Sequence, residues 1–200
     1  MKSKVIVFDL YNTLIEIKKN HKFFMVLYKN SKTKFNLELL DYLDIIMRNE
    51  IEDLFHILPN DFKQLYFEYN YLLEEELNSI ELYEETIEVL ESLKENYQLY
   101  LISNLASPYK KAVQKLNLAV YFDGIVFSCE EGKLKPEKNI FEIVEFKSEK
   151  KENEILMVGD SFKSDIQGAK NMNWNYLKIN RKGKIKETFE IINLREIIKN

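Results

Sequence analysis

An α/β fold built on a doubly wound parallel sheet is predicted by three features of this 200-residue sequence. Short apolar runs recur at Val5–Phe8, Leu99–Ile102, Ile125–Phe127 and Ile155–Val158. They do not alternate with polar residues, so they read as strands covered on both faces. From Tyr83 onward these runs are interleaved with segments of helical period, the rhythm of a parallel sheet with helices on its two sides. Three of the runs give way to polar residues at Asp9, Ser103 and Asp160, where an open parallel sheet places its working groups.

The first strand, Val5–Phe8, leads into Asp9-Leu10-Tyr11-Asn12-Thr13-Leu14. From about Ile15 to Ile80 the sequence then reads as helices rich in aromatics. Phe23, Phe24, Leu27 and Tyr28 form a short apolar face, and Leu39, Leu40, Leu43, Ile46, Met47, Ile51 and Leu54 recur at three- and four-residue intervals. Pro59-Asn60-Asp61 interrupts the pattern, and Phe62, Leu65, Tyr66, Tyr69, Leu72 and Leu73 resume it. The rings between Phe23 and Tyr71 read as packing within this insertion, and His21 and His56 lack ligand-like spacing. Beyond Tyr83, Ile87, Leu90 and Leu93 mark a helix before the second strand, and Pro108 suits the first turn of a helix running to about Leu118. Pro136 opens a helix carrying Ile140, Phe141 and Val144. After Gly159-Asp160-Ser161 come a helix through Ile166 and Ala169, a last strand near Tyr176–Ile179 and a C-terminal helix. The domain reading is a core of residues 1–14 and 83–200, interrupted by an all-helical insertion at 15–82.

Composition narrows the function classes. With 46% hydrophobic residues the chain can bury a sizeable core, and a net charge of −4 gives no reason to expect a nucleic-acid partner. The basic stretch from Arg181 to Lys186 is short and followed by Glu187, so it reads as a solvated loop. The single cysteine, Cys129, excludes an internal disulfide and fits a reducing compartment. No apolar run approaches the roughly 18 residues of a membrane span, and Met1–Lys4 leads straight into the first strand without a signal peptide. A cytoplasmic protein without membrane or nucleic-acid partners is expected.

Asp9, Ser103, Lys135 and the pair Asp160/Asp165 thus lie at strand ends or in strand-following loops. With these in place, the chain resembles the haloacid dehalogenase superfamily, which is dominated by phosphatases, over nearly its whole length. Asp9-Leu10-Tyr11-Asn12-Thr13-Leu14 matches the family's first motif, Ser103-Asn104 the second, Lys135-Pro136 with Ile140-Phe141 the third, and Gly159-Asp160-Ser161 with Asp165 the fourth. The resemblance implies a Rossmann-like core and makes residues 15–82 a helical cap. It makes Asp9 the nucleophile, forming an aspartyl-phosphate, and a carboxylate nucleophile of this kind splits one hard displacement into two easier ones. Asp9 and Asp160 would repel each other in a dry site unless a cation sat between them. Mg2+, which favours a few carboxylates with waters and phosphate oxygens, suits that place. The resemblance adds the backbone carbonyl of Tyr11 as a further metal ligand, and Ser103, Asn104 and Lys135 as the phosphate-binding groups. Thr13 and Asp165 would orient these groups from behind. A small-molecule phosphoester is the implied substrate.

One position departs from the pattern. Most phosphatases of this family carry a second Asp two residues after the nucleophile, which protonates the leaving group and later activates water; here Tyr11 stands there. Losing such help typically costs about 10²–10⁴-fold. A phenol with an ordinary pKa of about 10 can donate a proton but is rarely a base at neutral pH, so Tyr11 is read as a donor only. Asn12 replaces a frequent glycine, and Asn tolerates a left-handed backbone. Tyrosine at this place is what the family's 2-haloacid dehalogenases carry, which attack carbon and need no metal. Those enzymes, however, have serine at the position of Asp160, asparagine at Phe162 and tyrosine at Phe141. Arg48, the sole arginine of the insertion, is no clear counterpart of their carboxylate-binding arginine. The reading is a magnesium-dependent phosphatase. A dehalogenase-type hydrolase and a catalytically feeble member that binds a phosphorylated ligand or a protein are the alternatives.

Overall fold

A computed structural model describes residues 3–181, 183 and 187–198. Its strands are β1 (Val5–Phe8), β2 (Ile15–Ile17), β3 (Ile80–Leu82), β4 (Gln98–Ser103), β5 (Gly124–Phe127), β6 (Ile155–Gly159), β7 (Asn175–Ile179) and β8 (Glu190–Ile191). Its α-helices are α1 (Phe23–Asn30), α2 (Leu39–Arg48), α3 (Ile51–Ile57), α4 (Asn60–Glu68), α5 (Asn70–Asn78), α6 (Thr86–Lys94), α7 (Lys111–Lys115), α8 (Ser128–Glu131), α9 (Lys138–Ser148), α10 (Gln167–Asn171) and α11 (Arg195–Ile198).

Six strands form a parallel sheet in the order β5-β4-β1-β6-β7-β8. The period of two sorts each central strand between its faces. Ile6 and Phe8 of β1 join Leu99, Leu101, Leu156 and Val158 on the face covered by Val89, Leu90 and Leu93 of α6. Val5 and Val7 join Tyr100, Ile102, Ile155 and Met157 on the other, under Ile140, Phe141 and Val144 of α9 and under Trp174. Gly168 lets α10 settle on α9, since a Cβ there would lie 2.1 Å from the Phe141 ring.

The chain steps from β1 to β4 and β5 on one side, then returns to β6 on the other side of β1. That reversal opens a crevice beyond the carboxyl ends of β1 and β6. Phe8 pairs in register with both Leu101 and Val158, so Asp9, Ser103 and Asp160 emerge at nearly the same level.

The insertion at 15–82 holds α1–α5, but it is not wholly helical as the sequence predicts. Antiparallel strands β2 and β3 pair Ile15 with Leu82 and Ile17 with Ile80, gathering its two ends into a two-stranded ribbon. Phe35 and Tyr42 stack at 5.2 Å, and Phe62 meets Phe35 edge-on at 5.5 Å. These rings belong to the same apolar cluster as Ile6 and Phe8, so one core runs from the sheet face into the insertion.

Local differences have local causes. The apolar series Leu39–Leu54 is split into α2 and α3 at Asn49, whose backbone is extended. The helix predicted from Pro108 to about Leu118 breaks into a 3-10 turn at Ser107–Lys110 and the short α7, and Asn117 is left-handed. Pro136 does not open a helix; it lies in a loop joined to Lys135 by a cis peptide, and α9 begins at Lys138. The strand at Tyr176–Ile179 is not the last, since the two-residue β8 follows it. Among the described residues no helix is long and apolar enough to cross a membrane.

Candidate active site

The crevice at the ends of β1, β4 and β6 brings most of the predicted groups together. Asp9 extends the strand ladder by donating its backbone N–H to the Val158 carbonyl at 2.9 Å, leaving its largely buried carboxylate at the mouth. Lys135 reaches in from the loop before α9, its side chain 1% exposed. The ammonium meets Asp9 Oδ1 at 2.6 Å, Asp165 Oδ1 at 2.6 Å and the Ile102 carbonyl at 2.9 Å. Its three donors are thereby spent on protein. Asn104 braces that loop rather than facing the crevice with its amide: Nδ2 donates to the Lys135 carbonyl and Oδ1 accepts from the Lys135 N–H, both at 2.9 Å. Ser103 is buried at the tip of β4.

On the other bank Ser161 caps a single π-helical turn, Phe162–Ile166, accepting from the Ser164 N–H at 3.2 Å. The turn carries Asp165 back beneath Gly159, where a Cβ would lie 2.3 Å from Asp165 Oδ2. Fully buried, Asp165 accepts from the Ser161 N–H at 2.9 Å and the Ser164 hydroxyl at 3.3 Å. Asp160 is half-buried, with the Asn12 side chain close enough to favour its charged form. Thr13 donates to Asp9 Oδ2 at 3.5 Å.

Oxygens of Asp9, Asp160 and Asp165 lie within 4.8 Å of one another, a group that could hold a metal ion. Three carboxylates share one ammonium, and the imbalance shows in their acidities. Burial pushes the Asp9 carboxyl up to about 7, with Lys135 opposing and Asp165 adding to the rise. Burial also raises Asp160, again with Asp165 reinforcing. Burial works against the Lys135 charge, yet Asp165 and Asp9 outweigh it and hold the ammonium above its ordinary range. The donors are all hard carboxylate oxygens and the site is short of positive charge, so a divalent hard cation fits it.

Tyr11 behaves differently from the donor expected of it. Its hydroxyl donates to the Tyr109 carbonyl at 2.9 Å, and the two rings meet edge-on at 6.0 Å. Burial, with Glu76 and Asp9 nearby, holds the phenol well above its ordinary range. Tyr109 donates its own hydroxyl to Glu76 Oε2, and Glu76 is a buried residue of α5 whose other oxygen accepts from the Phe23 N–H at 3.3 Å. A hydrogen-bonded chain thus runs from the insertion to the residue two past Asp9.

Two arginines have places that the sequence does not announce. Arg48 ends α2 and binds Asp44 at 2.7 Å, the Gly132 carbonyl at 3.0 Å and Glu137, so it grips the loop that carries Lys135. Arg181, read from sequence as part of a solvated loop, is instead folded onto the backbone of Asn12 and Thr13. Lys182 and residues 184–186 of that stretch lie outside the described residues. A separate cavity of about 720 Å³ lies between α3–α4 and α7–β5, bordered by Phe55, Phe67, Lys110 and Gln114. Its Glu50 and Glu130 are paired with Lys110, and none of the predicted site residues borders it, so the strand-end crevice is the candidate site.

Comparison with known proteins identifies the family and the fold. The family model described as hydrolase, haloacid dehalogenase-like hydrolase, matches residues 3–173. Over 87 residues the chain is 33% identical to the pyrimidine 5'-nucleotidase YjjG of Escherichia coli (strain K12), a match covering 42% of this chain and 39% of that protein. Among solved structures, a HAD phosphatase from Thermococcus onnurineus is 24% identical with a TM-score of 0.73, covering 98% of this chain and 96% of its own. A 2-haloacid dehalogenase from Pseudomonas syringae pv. Tomato DC3000 is 21% identical with a TM-score of 0.69, covering 98% and 97%. Phosphatase and dehalogenase alike share the fold.

Proposed function

The chain belongs to the haloacid dehalogenase-like hydrolases, and we propose that it is a magnesium-dependent phosphatase that cleaves a small phosphomonoester through an aspartyl-phosphate on Asp9. The observation that carries this reading is Asp160, a second carboxylate facing Asp9 with Asp165 behind both and one ammonium among them. A haloacid carboxylate would add another negative charge to that place, whereas a metal-bound phosphoryl group brings its counter-charge with it. Arg48, committed to Asp44, Gly132 and Glu137, is not presented for a substrate carboxylate either.

Asp9 and Asp160, with the Tyr11 carbonyl, would hold Mg2+, which supplies charge neutralisation and orientation at the phosphoryl oxygens. Asp9 attacks phosphorus, the bond from phosphorus to the leaving oxygen breaks, and the departing oxygen takes a proton from solvent water, since the Tyr11 hydroxyl is engaged elsewhere. Water then attacks the aspartyl-phosphate, releasing phosphate and restoring the carboxylate. Ser103 bounds the phosphoryl pocket, and Asn104 serves by fixing the Lys135 loop. Lys135 acts as a point charge, aligning Asp9 and opposing the rise in its pKa that burial causes. Thr13 and Asp165 steady Asp9 and Lys135. Residues 15–82 act as a cap that shields the intermediate from bulk water.

The Tyr11 hydroxyl already donates its hydrogen bond to the Tyr109 carbonyl, so leaving groups that need little protonation are the best substrates. Nucleoside monophosphates are the natural substrates to try, given the activity for which the Escherichia coli relative is named, and because their alkoxide leaving group needs a proton they should turn over more slowly than p-nitrophenyl phosphate. The test is phosphate release from p-nitrophenyl phosphate and from nucleoside monophosphates, with Mg2+ and with EDTA. Magnesium-dependent release supports the proposal. Chloride release from 2-haloacids, without phosphate release, would replace it with the dehalogenase reading.

A further inference from the structure

We propose that Arg181 is a positioning residue for the candidate site: it fixes the turn at Asn12 and Thr13 so that the carboxylates these two residues touch can share one divalent cation. The inference rests on the metal-dependent reading above. Arg181 leaves the end of β7 with its side chain 13% exposed. Its Nε donates to the Asn12 carbonyl at 3.3 Å, and one terminal nitrogen donates to the Thr13 carbonyl. The other terminal nitrogen meets Glu85 Oε1 at 2.8 Å, and the guanidinium lies 3.4 Å from the centre of the Tyr83 ring. A planar fork of five N–H donors can satisfy all of these at once, which an ammonium cannot.

The residues so gripped face the chemistry with their side chains. Asn12 lies beside Asp160 and works against the rise that burial gives its carboxyl, and Thr13 donates to Asp9 Oδ2 at 3.5 Å. Asn12 sits at φ 59°, a left-handed conformation that a side-chain-bearing residue keeps only where its surroundings over-determine it. Its N–H is tied to the Ile15 carbonyl at 2.7 Å, and Arg181 ties its carbonyl, so both flanks of the turn are pinned. Tyr83 and Glu85 lie where the chain leaves the insertion, and the Tyr83 N–H and Thr86 hydroxyl donate to the Leu14 carbonyl at 3.1 and 2.8 Å. Arg181 therefore clasps the entering and leaving segments of the insertion at one point, directly behind the two metal-facing carboxylates.

Calorimetric titration of Mg2+ into the metal-free full chain tests this without relying on turnover. A parent that binds Mg2+ but releases no phosphate would end the phosphatase reading and leave the comparison of variants intact. Arg181→Gln is expected to weaken Mg2+ binding about 10-fold or more, the usual scale for groups that orient metal ligands. Arg181→Lys should recover only part of the loss, and Arg195→Gln, whose partners Glu84 and Glu88 are exposed, should match the parent. Parent-like affinity in folded Arg181→Gln overturns the proposal, as does a parent that binds no Mg2+. If Arg181→Gln does not fold, Glu85→Gln decides: it loosens Arg181 without touching the site, and undiminished affinity there would overturn the proposal too.

Discussion

Replacing Asp165 by asparagine removes one charge from the centre of the site while keeping its shape. The side chain is fully buried and cannot swing away, because Gly159 packs against it closely enough that even a Cβ would collide. The amide has one acceptor where the carboxylate had two. If its oxygen stays on Lys135, its NH2 faces the Ser161 N–H, donor against donor. Breaking one half of a buried ion pair commonly costs about 3–5 kcal/mol. Lys135 keeps Asp9 at 2.6 Å and the Ile102 carbonyl at 2.9 Å, and removing Asp165 relieves repulsion on Asp9 and Asp160. Both effects pull the loss down, to about 2–3 kcal/mol on that scale. In a chain of this length that is a fall of roughly 5–10 °C in melting temperature, measured without metal by circular dichroism. A melting temperature unchanged within about 1 °C would show that Asp9 alone carries the Lys135 charge, and would refute the three-carboxylate electrostatics.

The same electrostatics set a pH dependence. Asp9 is held near 7 in the folded chain and ionises at its ordinary 3.8 when unfolded. Its contribution to stability therefore falls as pH rises from about 4 to about 7 in the metal-free protein. Mg2+ competes with that proton, so the rise in melting temperature on adding Mg2+ should be small at about pH 5.5 and level off above about pH 7.5; a flat profile would contradict it. For the link between the insertion and the Lys135 loop, a double-mutant cycle on Arg48→Ala and Glu137→Gln should give a coupling of about 0.5–1 kcal/mol in stability. A coupling of zero would mean that the contact is incidental.

The fold and the carboxylates were legible because both depend on local pattern. An apolar run that ends on Asp9 or Asp160 announces a buried strand and its working end within a few residues. The strand pair at Ile15–Ile17 and Ile80–Leu82 and the two-residue β8 are too short for period two to stand out. Other features were hidden because they end on backbone carbonyls, which have no sequence signature. Tyr11 donates a hydrogen bond to the Tyr109 carbonyl across 98 residues, and Arg181 binds Asn12 and Thr13 across 169 and 168. Asn12 alone left a trace, since Asn is among the few residues that adopt a left-handed turn readily. The break at Asn49 was invisible for another reason: Ile51 and Leu54 continue the apolar spacing of α2, so the periodicity runs across a turn that the backbone makes.

In the proposed mechanism Asp9 attacks phosphorus. Rapid acid quench after mixing the protein with Mg2+ and p-nitrophenyl phosphate, followed by peptide mass spectrometry, reads that step directly. The account predicts one phosphoryl group on the peptide containing Asp9, absent with EDTA and absent in Asp9→Asn. Phosphate release in the parent with no such adduct, or undiminished release by Asp9→Asn, would contradict it.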